Sequence, residues 1–522
     1  MQTLQKLPIG IQDFAFLREN KLLYVDKTKA IFDFIQEGKY MYFGRPRRFG
    51  KSLLCSTVKY LYEGKKELFE GLYLYDKIDW DTIARPVIHI DLSKVSFVDI
   101  SLAEGLSLHM DEISQTLNFP LKTQDAQSKF NELIVGLARQ GKSVVVIVDE
   151  YDKALTDVLG DDEKFEQHRN ILRGFYGILK PNDQYLHQVI LTGVSRYGKI
   201  SVFSQLNNIL DYSLFESYVT LCGYTPDELA FYFKDHITET ASKMRLDTDE
   251  LVERLKSRYN GYSFDGVHQV YNPFSILSFF KLQQFKNFWF DTGTPSFLLK
   301  LLREQKIKIH ELENFTGSSL ILDATDIEYQ SPISLLFQTG YLTISKLEQD
   351  GIDLWYHLDF PNTEVKQAFA QYLLVTYTAK GLDRVDAHIT APLRHALKQN
   401  DLNKFCEVLK SVYADVPYQI YLQKEAYYHT IFHVLMNALG FKTESEVQTN
   451  QGRIDTVVET DQNIFIFEFK LDESKKQALA QITQNKYFQR YQNQPLPIYA
   501  IGLNFSSELR NIQDWVVKQV KS

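Results

Sequence analysis

The stretch Ser143–Glu150, SVVVIVDE, constrains this chain more than any other. Five consecutive β-branched residues, Val144–Val148, cannot bury one face of a strand and wet the other. Such a run reads as a strand covered on both sides, which requires a mostly parallel sheet with helices above and below it. The flanking pattern supplies those neighbours. Strands are expected at Lys39–Gly44, Pro86–Leu92 and His187–Gly193. Helices are expected from Gly50–Lys51–Ser52 to about Tyr62, and over Leu102–Leu117, Asp125–Arg139 and Glu163–Leu179.

The rest of the chain reads differently. With 522 residues, and roughly 150 per domain as a prior, about three domains are expected. Residues 1–223 form the α/β part. Residues 224–400 are mostly helical in pattern, with apolar spacing of three and four over Asp227–His236, Asp249–Arg258 and Thr363–Thr378. Residues 401–522 change character again. A helix Glu425–Leu439 precedes strands near Ser445–Thr449, Arg453–Glu459 and Ile464–Lys470. A helix from about Ser474 to Tyr491, a strand Pro497–Leu503 and a final helix Ser507–Val520 then complete an α/β unit.

Charge and cysteine content exclude several function classes. The net charge of −8 argues against a chain that coats nucleic acid without specificity, though not against a local site. From Lys424 to the end, 11 basic and 11 acidic residues cancel, so the excess lies upstream. Three cysteines, Cys55, Cys222 and Cys406, are far apart and form no CxxC, which fits a reducing, cytoplasmic setting. Pro8, Gly10 and Asp13 stand where a signal peptide needs an apolar run, and no apolar run is long enough to span a bilayer.

Arg45–Ser52, RPRRFGKS, is the first chemical motif. It resembles a Walker A loop whose first glycine is replaced by Arg45, with Gly44 one position too early. Gly50 lets backbone approach a phosphate, and the helix that follows aims free N–H groups at it. Lys51 can reach the β- and γ-phosphates of ATP, and Ser52 can place its hydroxyl on Mg²⁺. Asp149 is suited to hold Mg²⁺, and Glu150 to orient or deprotonate a water. Thr192, in LTGVS, stands where P-loop ATPases place a γ-phosphate sensor. Arg196 is placed to act as an arginine finger towards a second copy of the chain. Plainer accounts exist for each: solvated acids at a strand end, a capped strand, surface arginines. Arg47 and Arg48 fit phosphate contact or solvation equally.

The second motif lies near the C-terminus. Asp455 in GRIDTVV is followed by Glu468 and Lys470 in FIFEFK, the pattern D-x12-E-x-K. Strand alternation puts Ile466, Glu468 and Lys470 on one face and Phe465, Phe467 and Phe469 on the other. The phenylalanines mark the core face, so the charged residues are expected to point away from it. The short turn Thr460–Asn463 brings Asp455 beside Glu468. Adjacent carboxylates favour a divalent cation, and Lys470 can steady a phosphate or a water. A cross-strand salt bridge is the plainer account. His429 and His433 share a helix face with Glu425 and suit a zinc site less well than a packed one, for want of a third ligand.

This second constellation resembles the PD-(D/E)xK nuclease superfamily, with Ile454 in place of the eponymous proline. Glu425 matches its helix-borne acid, and Gln481 its polar residue after the E-x-K strand. The two motifs together resemble AAA-ATPase-like proteins fused to such a nuclease domain. LPIGIQDF, YVDKT, RPRRFGKS, IVDEYDKAL, LTGVSR, YNGYSF, YNPFS, LLFQTGYLTI, FPNTEV and the C-terminal strands carry the resemblance over nearly the whole length. It implies an ASCE-type (AAA-like) P-loop core, a helical middle or lid, and a restriction-endonuclease-like end. Asp26 and Lys27 match as well, without a mechanism legible from sequence.

Three functions follow as expectations. The first is an ATP-binding, ATP-hydrolysing protein coupled to Mg²⁺-dependent cutting of nucleic acid, DNA in preference to RNA. Glu150, Asp455, Glu468 and Lys470 are its catalytic residues. Arg45, Gly50, Lys51, Ser52, Asp149, Thr192 and Arg196 hold nucleotide. Ser52, Asp149, Glu425, Asp455 and Glu468 are the metal ligands. A homo-oligomer is compatible, and no membrane partner is expected. The second is a nucleotide-dependent switch or remodelling ATPase whose nuclease-like domain only binds. The third is an interaction protein with a degraded P-loop.

Overall fold

A computed structural model describes residues 4–195, 208–289, 312–319, 332–351, 353–378, 382–415, 425–449 and 452–521. The chain divides into two compact units. One comprises Met1–Gln305 and Asn314–Asn362; the other comprises Lys306–Glu313 and Thr363–Ser522.

The first unit is built on a parallel sheet of β1 (Tyr40–Gly44), β2 (Val87–Asp91), β3 (Val144–Asp149), β4 (Leu186–Gly193) and β5 (Leu210–Asp211), in the order β2-β3-β4-β1-β5. All six residues of β3 are buried, as the β-branched run requires. The helices Leu102–Thr116, Ala126–Ala138 and Asp162–Gly177 bury Leu106, Met110, Phe130, Leu133, Leu172 and Phe175 in the same core as Val144, Val146 and Val148. β4 lies between the strand that feeds RPRRFGKS and the strand that ends in Asp149. Phe43 pairs with Thr192, and Val148 with Leu191, so Thr192 lies level with both.

The helical middle has its own core, where Leu229, Phe233, Leu251, Leu255, Phe279 and Phe280 pack with Leu23 and Val25 from the N-terminal segment. The helix expected over Asp227–His236 breaks at Phe233 into Pro226–Tyr232 and Lys234–Met244. This region also carries an antiparallel sheet of β6 (Phe315–Ser318), β7 (Thr343–Asp350) and β8 (Asp353–Asp359), in the order β6-β8-β7. The alternation in DLWYHLD supports it, and helical spacing elsewhere had masked it.

The second unit holds the helix Glu425–Ala438 and a mixed sheet of β9 (Lys442–Thr449), β10 (Gly452–Glu459), β11 (Ile464–Leu471), β12 (Ile498–Ser506) and β13 (Asn511–Lys521). β9, β10 and β11 form an antiparallel meander. β12 joins β11 in parallel after the crossover helix Lys475–Gln484. Two expectations need correction. The helix expected to reach Tyr491 ends at Gln484, and Lys486 turns left-handed (φ +47°) into a short 3₁₀ turn, Tyr487–Tyr491. The expected final helix Ser507–Val520 is the strand β13. Its Trp515–Val516–Val517 centre favours strand, and it pairs the otherwise open edge of β12.

Candidate functional site

The phosphate loop spans the end of β1 and the helix Lys51–Tyr62. Gly50 has φ +95°, and no atom lies within 4 Å of where a Cβ would stand, so the loop is open at this point. No side chain caps this helix, which leaves its N-terminal end suited to an anion. Lys51 Nζ is buried and donates to the carbonyls of Arg45 (2.9 Å) and Pro46 (3.0 Å). Ser52 follows, half-buried.

Arg45 is not brought to this cradle. Its guanidinium turns inward and lies 4.2 Å from the centre of the Phe43 ring and 3.9 Å from that of Phe264. It donates to the carbonyls of Gly44 (2.8 Å), Ser213 (2.7 Å), Tyr218 (3.1 Å) and Val219 (3.3 Å). The loop residues Pro46–Phe49 are gripped by the middle region. Phe49 is buried edge-on against Tyr262 at 4.7 Å, and the Arg48 guanidinium stands 4.5 Å from the Phe274 ring. Trp289 Nε1 donates to the Arg47 carbonyl at 3.2 Å. Gly340, at φ +91°, leaves room for Pro46, whose Cβ would stand 2.7 Å from an added methyl. YNGYSF, YNPFS and LLFQTGYLTI thus gain a place: they hold the phosphate loop.

Asp149 is buried at the end of β3. Its Oδ1 accepts the Thr192 hydroxyl at 2.5 Å and the Glu150 N–H at 3.0 Å. Glu150 is left-handed at φ +52°. Burial raises its carboxyl, Lys51 opposes that, and Asp149 and Asp152 add to it. Asp152, which sequence reasoning passed over, accepts Ser195 N–H (2.7 Å) and Ser195 Oγ–H (2.6 Å). The Tyr42 and Tyr151 hydroxyls donate to the Ser195 carbonyl at 3.0 and 2.7 Å. Ser195 is therefore fixed, while Arg196 lies outside the described residues. The YVDKT stretch also gains a mechanism. Asp26 accepts from Thr28 N–H and Tyr73 N–H, and Lys27 pairs with Glu228 at 2.7 Å, tying the N-terminal segment to the first helix of the middle.

The second unit carries the carboxylate cluster. Both faces of β11 are covered, contrary to the expectation of a charged face aimed away from the core. Phe467 and Phe469 pack on Phe432 at 4.7 and 5.0 Å, while Ile464 and Ile466 join Ile482, Tyr487 and Ile498 in a second core. Glu468 is consequently 1% exposed. Its Oε1 stands 3.4 Å from Lys470 Nζ, and its Oε2 is buried without a hydrogen-bond partner. Burial first, and then the Asp455 charge, push the Glu468 carboxyl up to about 8. Burial likewise raises Glu425 and Asp455; Lys470 opposes both shifts, and the Asp455 charge adds to that of Glu425. Desolvation would lower Lys470, but Glu468, Glu425 and Asp455 outweigh it and raise the ammonium.

Asp455 Oδ2 accepts the Phe469 N–H at 2.7 Å. Gln481, on the crossover helix, reaches the Tyr487 hydroxyl at 3.4 Å. His429 and His433 are buried and bonded to protein groups: His429 Nε2 to the Asp455 carbonyl at 2.8 Å, His433 Nδ1 to Ser445 Oγ at 2.6 Å. Among the described residues, no three His, Cys, Asp or Glu side chains stand close enough together to enclose an ion. The chemistry of the set still fits a divalent cation: three carboxylates raised by burial, one of them beside the Lys470 ammonium with an orphaned buried oxygen.

Comparison with known proteins agrees with this division. Residues 8–203 match the family model described as "Predicted AAA-ATPase", and residues 423–515 match that of the PD-(D/E)XK nuclease superfamily. The chain is 35% identical over 526 residues to "Uncharacterized protein in vnfD 5'region" from Azotobacter chroococcum mcd 1, covering 99% of each chain. No helix among the described residues is long and apolar enough to cross a membrane. A full-length relative and the two matches in this order place the chain in the family of AAA-ATPase-like proteins with a C-terminal PD-(D/E)XK nuclease superfamily domain.

Proposed function

We propose that this chain binds and hydrolyses ATP at the Arg45–Ser52 loop and cuts nucleic acid, DNA in preference to RNA, at the Asp455–Glu468–Lys470 cluster. The functional segments are 1–223 for the ATPase, 224–400 for a lid and 401–522 for the nuclease. The observation that carries the nuclease reading is Glu468: a buried carboxylate with one oxygen unpartnered, beside a lysine. A fold that sought only stability would not keep a buried acid there with one oxygen unpartnered.

At the nucleotide site, Lys51 exchanges the Arg45 and Pro46 carbonyls for the β- and γ-phosphates. Ser52 and Asp149 would hold Mg²⁺, Thr192 holds Asp149 in place, and Glu150 orients and deprotonates the attacking water. Arg45 contributes by fixing the loop, and Arg196 acts towards a second copy of the chain. At the nuclease site Glu425, Asp455 and Glu468 would hold Mg²⁺. Bound there, the ion supplies positive charge to the scissile phosphate and acidity to a water. Lys470 steadies the phosphate, and Phe469 N–H fixes the Asp455 carboxylate for its role. The setting is cytoplasmic.

The test is cleavage of plasmid and single-stranded substrates with Mg²⁺ or Mn²⁺, with and without ATP. Loss of cutting in Asp455→Ala is expected, and undiminished cutting by that variant would sink the site. One observation favours the second reading, a switch whose nuclease-like domain only binds: the described residues lack a preassembled ion cage. ATP hydrolysis that is lost in Lys51→Ala, with no cleavage under either metal, would decide for it.

A further inference from the structure

The backbone of Asp455 has no ladder partner in its sheet, although its carboxylate accepts from Phe469 N–H of β11. The β10–β9 register passes from Ile454↔Val447 to Thr456↔Ser445 without a pair at Asp455, and the β10–β11 register ends at Thr456↔Phe467. The residue facing Asp455 across the gap, Glu446, is left-handed at φ +57°. The Asp455 carbonyl is instead met by His429 Nε2 at 2.8 Å, from the helix Glu425–Ala438. That nitrogen also lies 3.0 Å from Thr456 Oγ1, which lies 3.3 Å from Ser445 Oγ, which lies 2.6 Å from His433 Nδ1.

The chain of contacts ends on a residue far away in sequence. His433 Nε2 stands 2.9 Å from Glu313 Oε1, and the Asn437 amide donates to the His433 carbonyl at 3.0 Å. Glu313 is held in turn by Lys366 at 3.1 Å. A carboxylate only accepts, so it draws the His433 proton onto Nε2 and leaves Nδ1 to accept from the Ser445 hydroxyl. Ser445 Oγ then accepts from Thr456, and Thr456 Oγ1 from His429 Nε2–H, the same N–H that serves the Asp455 carbonyl. Glu313 thus orients the His433 end of the chain, while Glu446 Oε1 stands 3.4 Å from Nδ1 of His429 at the other end. His433 is 1% exposed, so water cannot substitute for a missing partner.

We propose that Glu313 is a positioning residue for the nuclease-type site, acting through His433, Ser445, Thr456 and His429 to fix the backbone of Asp455. The proposal rests on the reading of Asp455 as a metal ligand, given above. Glu313 lies more than a hundred residues ahead of the matched nuclease segment, yet the stretch Lys306–Glu313 belongs to the same compact unit.

The full-length chain is titrated with Mn²⁺ by calorimetry, and its melting temperature without metal is recorded in parallel. Binding that disappears in Asp455→Ala defines the site. Glu313→Gln, isosteric but uncharged, is expected to weaken that binding about 10-fold, the scale of lost outer-shell support. Ser445→Ala removes one oxygen midway and is expected to weaken it similarly, with little risk to folding. A purely structural role would lower the melting temperature and leave Mn²⁺ affinity unmoved. Parent-like affinity in Ser445→Ala, or in a folded Glu313→Gln, overturns the proposal and leaves the nuclease reading standing. A Mn²⁺ titration from which Asp455→Ala removes no component sinks the metal-site reading itself, and the positioning role with it.

Discussion

At the scale of single residues, Arg45 separates position in a motif from role in a site. It occupies the place of a Walker glycine, yet its side chain knits the loop to the carbonyls of Ser213, Tyr218 and Val219. Arg45→Met keeps the stem and removes the fork. Several buried carbonyls then lose their donor, and a stability loss of about 3 kcal/mol is expected in urea unfolding. Arg45→Lys should recover little of it, because an ammonium cannot reproduce the planar fork between two rings. A Met variant within about 0.5 kcal/mol of the parent, the range of ordinary surface changes, would refute this account.

Glu313 offers a pH-dependent counterpart. Burial alone would raise its carboxyl, but the hydrogen bond from His433, with Lys366, outweighs that and holds it at about 2. A depressed folded value means the unfolded chain takes up the proton first as pH falls. The contribution of Glu313 is therefore complete above about 4.5, the ordinary glutamate range, and fades as pH drops towards about 2. The stability difference between parent and Glu313→Gln should be constant from neutral pH to the onset of that window and shrink below it. A difference that grows on acidification contradicts the assignment.

At the scale of elements, the phosphate loop is a shared construction. Its strand and helix belong to the parallel sheet, and its outer wall is aromatic and comes from the middle region. Gly340→Ala combines an unfavourable left-handed backbone with a methyl driven against Pro46. Nucleotide affinity should fall about 10-fold, equivalent to about 1.4 kcal/mol, read from the ATP-induced shift in melting temperature. Gly71→Ala carries similar strain at φ +77° with nothing nearby, and should leave that shift intact.

The sequence carried the loop, the acidic strand end and the E-x-K strand legibly because each is contiguous and its periodicity is local. β11 shows the limit. Alternation sorted Glu468 from the phenylalanines correctly, but only the crossover helix determines that the isoleucine face is buried too. The inward turn of Arg45 depends on Phe264, and the support of Asp455 on Glu313, partners that no local spacing reveals. β13 reads as a helix by spacing because its strand character comes from the open edge it fills.

At the scale of the whole molecule, the expected behaviour is nucleotide-dependent cutting. ATP at about 100 times its Kd should add about 2.7 kcal/mol of stability to the parent and nothing to Lys51→Ala. If the two activities are coupled, the same variant should cut nucleic acid at a rate indifferent to ATP. A Lys51→Ala chain still responsive to ATP would show that the nucleotide acts elsewhere.

The division of the chain into units has a last consequence. Lys306–Glu313 lies with the C-terminal unit, while the residues on both sides of it in sequence lie with the first. The backbone passes from one unit to the other at three places. A protease that nicks any one of them releases no fragment that is one complete unit and nothing else. A recombination event with one breakpoint cannot lift the nuclease-like unit away both whole and alone, because a stretch of the first unit is encoded between its two parts. Inheritance as an undivided pair is the expected history of such a chain, and the relative matched over 99% of both lengths agrees with it.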